Sequence, residues 1–491
     1  MNKRKATIVI TIILLCLSIS GPSQANIELR GAKVHYATAD EVVLWAYSPT
    51  VTFKWTGGDA RFILGNVAPS RLAVEPSLDF EVLSPTSIAW RAQGPQELSI
   101  RTLTPQLTFA LVGDSQGRNQ VLGLLIEEIN ASGADFLIHL GDMVPSGQED
   151  EYWAFLQTME GLECPYYPVP GNHDVKFQGR QIYQELYGPL DHYFDQGGWR
   201  FIFLDSSSHG LDQAQLDWLE GLLKDCPSLI FTHVPHEDPR GEDHGFLDEA
   251  AARAFASLIA EGNVAAVFTG HVHMFHQMAR QGVTFVTSGG GGAPLYADPD
   301  EGGYHHFVLV EPDQGMKITP YEITLPPYTW EVVVVGKEGE IVLCPGELAK
   351  WTVIEGQSAY ENRFGNITGQ GVYRGVAVSE LLAQVGGMEP EDVLLVHADD
   401  GYTQEFAYGN VYPEEPGWEE IQGEMTLAFA HEGLEPPDWQ AGCRIAFLPP
   451  DGIYHNDDCA KTSVPGQGWH QDPSAGARWV KNVVRLEVVS K

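Results

Sequence analysis

The sequence predicts an α/β protein of several domains: a layered α/β unit preceded by a small β-sandwich and followed by an α+β region. Three observations carry this. Residues 105–323 alternate apolar strands with amphipathic helices, the pattern of a buried sheet wrapped by helices. Residues 26–104 hold only short β-rich runs broken by turns. At 491 residues the chain is also too long for one hydrophobic core.

The chain opens with Lys3, Arg4 and Lys5, then the apolar run "ATIVITIILLCLSIS" and "GPSQA". A basic head, a short apolar run and small residues form a secretory signal over 1–25, with cleavage expected after Ala25. Leu15 before Cys16 does not fit a lipidation site. Nothing later in the sequence is long and apolar enough to span a bilayer. An exported protein is expected, whether secreted, periplasmic or held at the cell surface. The formal charge is −37, and losing the three basic residues of the signal makes it −40. Such a surface repels phosphate backbones and anionic lipid, which excludes nucleic acid and membrane as partners. It suits multivalent cations or a salty habitat. Five cysteines remain after cleavage. Cys443 and Cys459 flank one loop and are the best pair. Cys164 and Cys226 pair if the strands that follow them are neighbours, and Cys344 is left over. No C-x-x-C occurs, so neither a zinc knuckle nor a thiol redox site is indicated.

Residues 26–104 read as strands, including "EVVLWAYS", "VTFKWTGG", "FILGNV", "SIAWRAQ" and "ELSIRTL", and predict the sandwich. From 105 the pattern changes to "QLTFALVGD", a helix over 119–132, "DFLIHLGD", a helical stretch around 149–160 and "YYPVPGNHD". Strand, helix and strand then repeat through "WRFIFLDSS", 211–225, "SLIFTH", "EAAARAFASLIAEG" and "VAAVFTGHVH", and strands return over 283–321. "TLPPY" reads as a linker, and 329–491 forms a third region with one clear helix at 377–387.

Five segments follow predicted strands: "GDSQG" (113–117), "GDMVP" (141–145), "GNHD" (171–174), "TH" (232–233) and "GHVH" (270–273). Ligands of open α/β sheets collect beyond the carboxyl ends of strands. Asp114, Asp142, Asn172, His233, His271 and His273 are therefore expected to converge. Two carboxylates, three imidazoles and an amide suit borderline divalent metals and exceed one tetrahedral site. Two ions sharing one carboxylate use them all. Such pairs activate a bridging water and clamp the oxygens of an in-line displacement at phosphorus.

This ordered set resembles the calcineurin-like metallophosphoesterase superfamily, which includes purple acid phosphatases, over about 105–322. The resemblance implies a four-layer α/β/β/α sandwich holding two divalent ions (Mn, Fe or Zn). It implies that Asp142 bridges them, that Asp114 and His273 hold one, and that Asn172, His233 and His271 hold the other. His173 is then the acid over the scissile bond, with Asp174 orienting it. The sequence departs from the family in three places. Gln116 stands where Asp-x-His is common, so either a weaker amide ligand or a water completes that ion. Pro145 stands where purple acid phosphatases carry a tyrosinate, and an Asp found there in other relatives is also missing.

Other candidates have plainer readings. His139 lies inside a strand and is expected in the core. His209, His236 and His244 follow motif strands and face either substrate or solvent. Arg118 meets a phosphate oxygen or starts a helix. "SGGGGAP" (288–294) lacks Gly-Lys-Ser/Thr and is not a P-loop; it reads as a close-approach loop at the site rim. Residues 373–406 resemble the molybdopterin-binding fold of sulfite-oxidase-like proteins through Gly-Val-x-Val before a helix and Asp-Gly-Tyr after a strand. No cysteine lies in 350–375, so a cofactor-free accessory domain is expected. The function expected is an exported phosphoesterase acting on small mono- or diesters. The alternative is a non-catalytic binding or surface protein on a degenerate scaffold.

Overall fold

The computed structural model describes residues 27–490 except 39, 105, 326–329, 363–364, 400–401, 415, 437–438, 440–441 and 465–473. The signal segment, part of the linker and the Asp-Gly of Asp-Gly-Tyr lie outside the described residues. Contacts divide the chain into Met1–Thr324 and Leu325–Lys491.

In the first unit, the N-terminal strands form a four-stranded sheet with Thr50–Trp55 and Gln96–Thr102 at its centre, and a five-stranded sheet centred on Ala60–Gly65. The side chains of Val42, Leu44, Phe53, Phe62, Trp90 and Ile100 fill one core with them. Asn66 ties this sandwich to the α/β layers. Its amide donates to the Tyr166 carbonyl and accepts from the Tyr166 N–H, both at 2.8 Å. It thus pairs an edge strand as another strand would.

The α/β unit has four layers, and alternation along single strands shows why. In Phe109–Val112, Phe109 and Leu111 face an inner core shared by two sheets, while Ala110 and Val112 face helices outside. The first sheet runs Tyr166–Pro168, Phe136–His139, Phe109–Val112, His306–Glu311, Lys317–Glu322. The second runs His192–Gln196, Trp199–Leu204, Ser228–Thr232, Val264–Thr269, Val283–Ser288, Phe275–Arg280. Phe109, Phe136, Phe201, Phe231 and Phe268 pack between them, some rings stacked and others edge-on. Helices Asn119–Ser132, Glu149–Met159 and Gly179–Tyr187 cover the first sheet; Gln213–Leu222 and Glu249–Glu261 cover the second. The returning strands expected over 283–321 divide between the two sheets.

The second unit packs a five-stranded and a four-stranded sheet around one core, with short helices. The helix expected at 377–387 spans only Val378–Ala383, because Gly386 and Gly387 take positive φ of 96° and 66° and turn the chain out of the helix. All five cysteines are unpaired. Cys164 precedes a strand of the first α/β sheet and Cys226 one of the second, so their strands are not neighbours. Cys443 and Cys459 are each buried in the apolar core of the second unit.

Buried histidines make the first unit acid-sensitive. Burial lowers His35 to about 3 and His192 and His306 to about 4. The unfolded chain therefore takes up protons first as pH falls below about 6.5, and folding loses about 1.4 kcal/mol per pH unit for each group until its folded pKa is reached. His192 stacks on Phe203 at 4.4 Å between centroids, so a phenyl ring fits its place. His192→Phe should lose less stability than the wild type between pH 6.5 and 4, read as the shift in urea midpoint.

Candidate metal centre

Each site residue sits just past a strand end, on a tight turn. Asp114, Gln116, Asp142 and His271 take φ of 63°, 41°, 55° and 66°, a region that non-glycine residues rarely enter and that clusters at functional sites. The glycines beside them allow close approach. A Cβ on Gly171 would lie 2.1 Å from Asp142 Oδ1, and one on Gly270 would lie 2.6 Å from Asp114 Oδ2.

All seven expected ligands converge. Asp114, Asp142, His233, His271 and His273 are buried, and Asn172 and Gln116 partly so. His233 Nε2 lies 3.0 Å from Asn172 Oδ1, 3.2 Å from His271 Nδ1 and 3.3 Å from Asp142 Oδ1. On the other side of Asp142, the Gln116 amide lies 2.9 Å from Asp142 Oδ2 and 3.4 Å from His273 Nε2, and His273 Nε2 lies 3.4 Å from Asp114 Oδ1. Asp142 therefore touches both groups, one through each oxygen. Exchanging the two ends of the Gln116 amide places its oxygen in the same spot.

Backbone carbonyls set the histidine tautomers. Nδ1–H of His233 donates to Leu140 O at 2.7 Å, that of His273 to Pro294 O at 2.6 Å, and that of His173 to Pro145 O at 2.5 Å. Each leaves Nε2 directed inward. Pro294 belongs to the glycine-rich loop, whose Gly291 and Ala293 N–H groups bond Gly113 O and Asp114 O at 2.8 and 2.9 Å. That loop reaches the site through its backbone, as the sequence indicates. Pro145, where a tyrosinate stands in purple acid phosphatases, contributes its carbonyl instead.

Asp174 departs from its expected part. Its carboxylate does not reach the His173 ring. Oδ1 accepts from the N–H of Met143 and Val144 at 2.8 and 3.1 Å, and Oδ2 from Asp142 and Gly171, both at 2.8 Å. The carboxylate is satisfied by backbone donors of two ligand loops and holds them in register; Pro145 O holds His173.

The electrostatics favour a positive charge among these groups. Burial alone would lower His233, but the Asp142 carboxylate, its hydrogen bond and Asp114 lift it to about 10. Burial and His233 push His271 down to about 2. Burial raises Asp142, and the attraction of His233 and His173 more than reverses this. Acceptor atoms packed face to face around one shared proton are the donor set of a divalent ion, and the Asp142–His233–His271 group has the spacing for one.

Residues 107–275 match the family model of the calcineurin-like phosphoesterases. This stretch is a calcineurin-like phosphoesterase domain. Over 163 residues the chain is 27% identical to a 3',5'-cyclic-nucleotide phosphodiesterase of Nostoc, covering 31% of this chain and 61% of that protein. Over 155 residues it is 30% identical to a probable glycerophosphodiester phosphodiesterase GpdQ of Arcobacter nitrofigilis, covering 28% of this chain and 56% of that protein. The chain thus spans about three-fifths of the length of these curated relatives. The purple acid phosphatase PPD1 of yellow lupin aligns with a TM-score of 0.38 at 14% identity, over 58% of this chain and 70% of that one. Members of this family use a binuclear metal centre, and the residues of the phosphoesterase domain fit one.

The remaining histidines separate. His139 packs in the core against Phe155, kept neutral at about 3 by burial. His236 lies between Phe255 and Phe285. His209 sets its ring edge-on to His271 at 5.3 Å, and His244 lies 5.9 Å from His271. Arg118 precedes helix Asn119–Ser132 as its N-cap. Tyr296, stacked on His273 at 4.1 Å, has no sequence signal beyond its place just after the glycine-rich loop.

Asp174→Asn would set an NH2 group against two backbone N–H donors. Each stranded buried donor costs about 1–3 kcal/mol. A clear fall in Tm with loss of bound metal is expected from calorimetry and metal analysis; unchanged values would contradict the staple. Metal binding must also displace the His233 proton below about pH 10. Affinity should fall up to about tenfold per unit drop in pH. Calorimetry in buffers of different ionisation enthalpy should read a proton released on binding.

Proposed function

We propose that this protein is an exported, metal-dependent phosphoesterase that acts on small phosphodiesters. The observation that carries the reading is Asp142, one oxygen toward Asn172, His233 and His271 and the other toward Gln116 and His273. Asp114, Gln116, Asp142 and His273 would hold one ion, and Asp142, Asn172, His233 and His271 the other. Divalent ions bound there supply positive charge for the phosphoryl oxygens and lower the pKa of an attacking water.

The chain's own residues do the rest. Asp142 and His233 are fully buried, so the attacking and phosphoryl oxygens meet a fixed polar wall and little bulk water. His173 is partly exposed at the mouth, with Nε2 4.0 Å from Asp142 Oδ2 and Nδ1 fixed by Pro145 O. From there a protonated Nε2 hands its proton to the departing alkoxide. The names of the relatives from Nostoc and Arcobacter support a diester as substrate. Export rests on the basic and apolar pattern of residues 1–25. Among the described residues no helix is long and apolar enough to cross a membrane.

His173→Ala should retain metal while turnover drops about 10²–10⁴-fold. The loss should be smaller for nitrophenyl than for alkyl diesters, because a good leaving group needs no proton. Equal losses would remove His173 from the acid role. Wild-type protein that binds two metals and hydrolyses no ester would favour the binding-protein alternative.

A further inference from the structure

We propose that Arg180 is a positioning residue for His173: it ties the helix that follows the His173 loop to the turn beside His233, and so fixes the proton donor against the ligands of the opposite sheet. This rests on the hydrolytic reading above. The candidate ligands come from both sheets of the α/β unit. Asp114, Asp142 and Asn172 follow strands of the first, and His233, His271 and His273 follow strands of the second. The core between the sheets is largely aromatic and aliphatic. Apolar contact is non-directional, so it holds the sheets together without fixing how one slides past the other. Directional bonds must do that.

Near the centre such bonds run to the loops of Asp114 and Asp142. The Nδ1–H of His233 donates to Leu140 O, the N–H of Gly291 to Gly113 O and the N–H of His271 to Asp114. None of these holds the chain that leaves His173. The His173 ring bonds Pro145 O, and its backbone N–H bonds Asp142 Oδ1 at 2.8 Å, both within the first sheet's loops.

Arg180 supplies the missing tie. It is the second residue of helix Gly179–Tyr187, which leaves the His173 loop directly. Its Nη1 donates to Asp205 Oδ2 at 2.6 Å and its Nη2 to Ser207 Oγ at 2.9 Å. Both partners stand on the turn after Trp199–Leu204, a strand parallel to Ser228–Thr232, at whose end His233 follows. That turn is itself held. Asp205 Oδ1 accepts from Ser207 N–H at 3.0 Å, Asp205 N–H donates to Asp191 Oδ1 at 2.8 Å, and the Gln215 amide donates to Asp205 O at 2.9 Å. Between the two partners, Ser206 is fully buried, and its hydroxyl oxygen accepts the N–H of Val234, next to His233, at 2.8 Å. Ser206 O also accepts the N–H of His209 at 2.8 Å. One guanidinium on a helix of the first sheet therefore grips a turn that is bonded to the His233 loop of the second. The planar fork spans two partners, which a lysine cannot do. The Arg180 side chain is 40% exposed, so its removal moves the loop more than it unfolds the domain.

The test uses metal-loaded full-length protein as wild type, Arg180→Met, Arg180→Lys, His173→Ala and the double variant Arg180→Met/His173→Ala. Turnover is measured on bis(p-nitrophenyl) phosphate, a good leaving group, and on diphenyl phosphate, a poorer one. A misplaced donor should lower kcat on diphenyl phosphate by about 10- to 10²-fold in Arg180→Met, with KM and metal content near wild type. The loss on the nitrophenyl ester should be smaller, because nitrophenolate departs without a proton. Arg180→Lys keeps the bond to Asp205 and should lie between wild type and Arg180→Met. In the His173→Ala background, Arg180→Met should cost nothing further on diphenyl phosphate. Amide hydrogen exchange, which needs no turnover, should quicken at His209 and Val234 in Arg180→Met. Equal losses on the two esters, additive losses in the double variant, loss of metal or unchanged exchange would each overturn the proposal. Wild type that hydrolyses neither ester would overturn the hydrolytic reading and the acid role with it, while faster exchange in Arg180→Met would leave the tie between the two loops standing.

Discussion

Asp174 accepts four backbone N–H donors, one from Gly171 in its own loop and three from Asp142, Met143 and Val144 in the next. The two loops it joins carry the shared carboxylate, the amide ligand and the proposed acid. They follow adjacent parallel strands, Phe136–His139 and Tyr166–Pro168. The strands bring the loops near each other, but only a group satisfying several buried donors at once sets their relative height. Tyr152 adds to this, donating its hydroxyl to the Asp174 carbonyl at 2.9 Å. Burial and the neighbouring Asp142 push the Asp174 carboxyl up to about 8, while the Gly171 and Val144 N–H bonds pull it back down.

The same economy of parts appears around the imidazoles. Three histidines are oriented by carbonyls of Leu140, Pro145 and Pro294 rather than by carboxylates. Carbonyls fix the tautomer without adding negative charge to a centre that already buries Asp114 and Asp142. The strained turns at Asp114, Asp142 and His271 are held by backbone bonds such as Asp114 N–H to Gly141 O and Gly270 N–H to His233 O, both 3.0 Å. Strain of this kind persists only where the surroundings over-determine it.

The N-terminal sandwich bears on this centre through the edge strand Tyr166–Pro168. Asn66 pairs the Tyr166 backbone, Trp45 sets its ring edge-on to Tyr166 at 5.6 Å, and Arg71 pairs with Asp135 just before the next strand. These contacts bury the edge of the first α/β sheet next to the strand that delivers "GNHD". The sandwich thus blocks that edge from pairing with another chain.

Much of the layered unit was legible in the chain itself. Strand and helix periodicity marks Phe109–Val112 and Asn119–Ser132, because side-chain alternation and a 3.6-residue repeat are local properties. The ligand residues were legible too, since Gly-Asp, Gly-Asn-His-Asp and Gly-His-x-His each combine a tight turn with metal-binding side chains. Helix Gly179–Tyr187 is harder to read although its buried Ile182, Tyr183, Leu186 and Tyr187 recur at helical spacing, because it is short and opens on a glycine. What Asp174 bonds, which way the Gln116 amide reaches, and whether His209, His236 or His244 faces the centre depend on segments distant in the chain. The separate burial of Cys164 and Cys226 depends on which sheet each following strand joins. Composition and spacing determine which groups are available and on which turns they stand. Only packing brings Arg240 to His244 and Tyr296 to His273, because contacts between loops are set by the sheets beneath them and leave no periodic trace in the sequence.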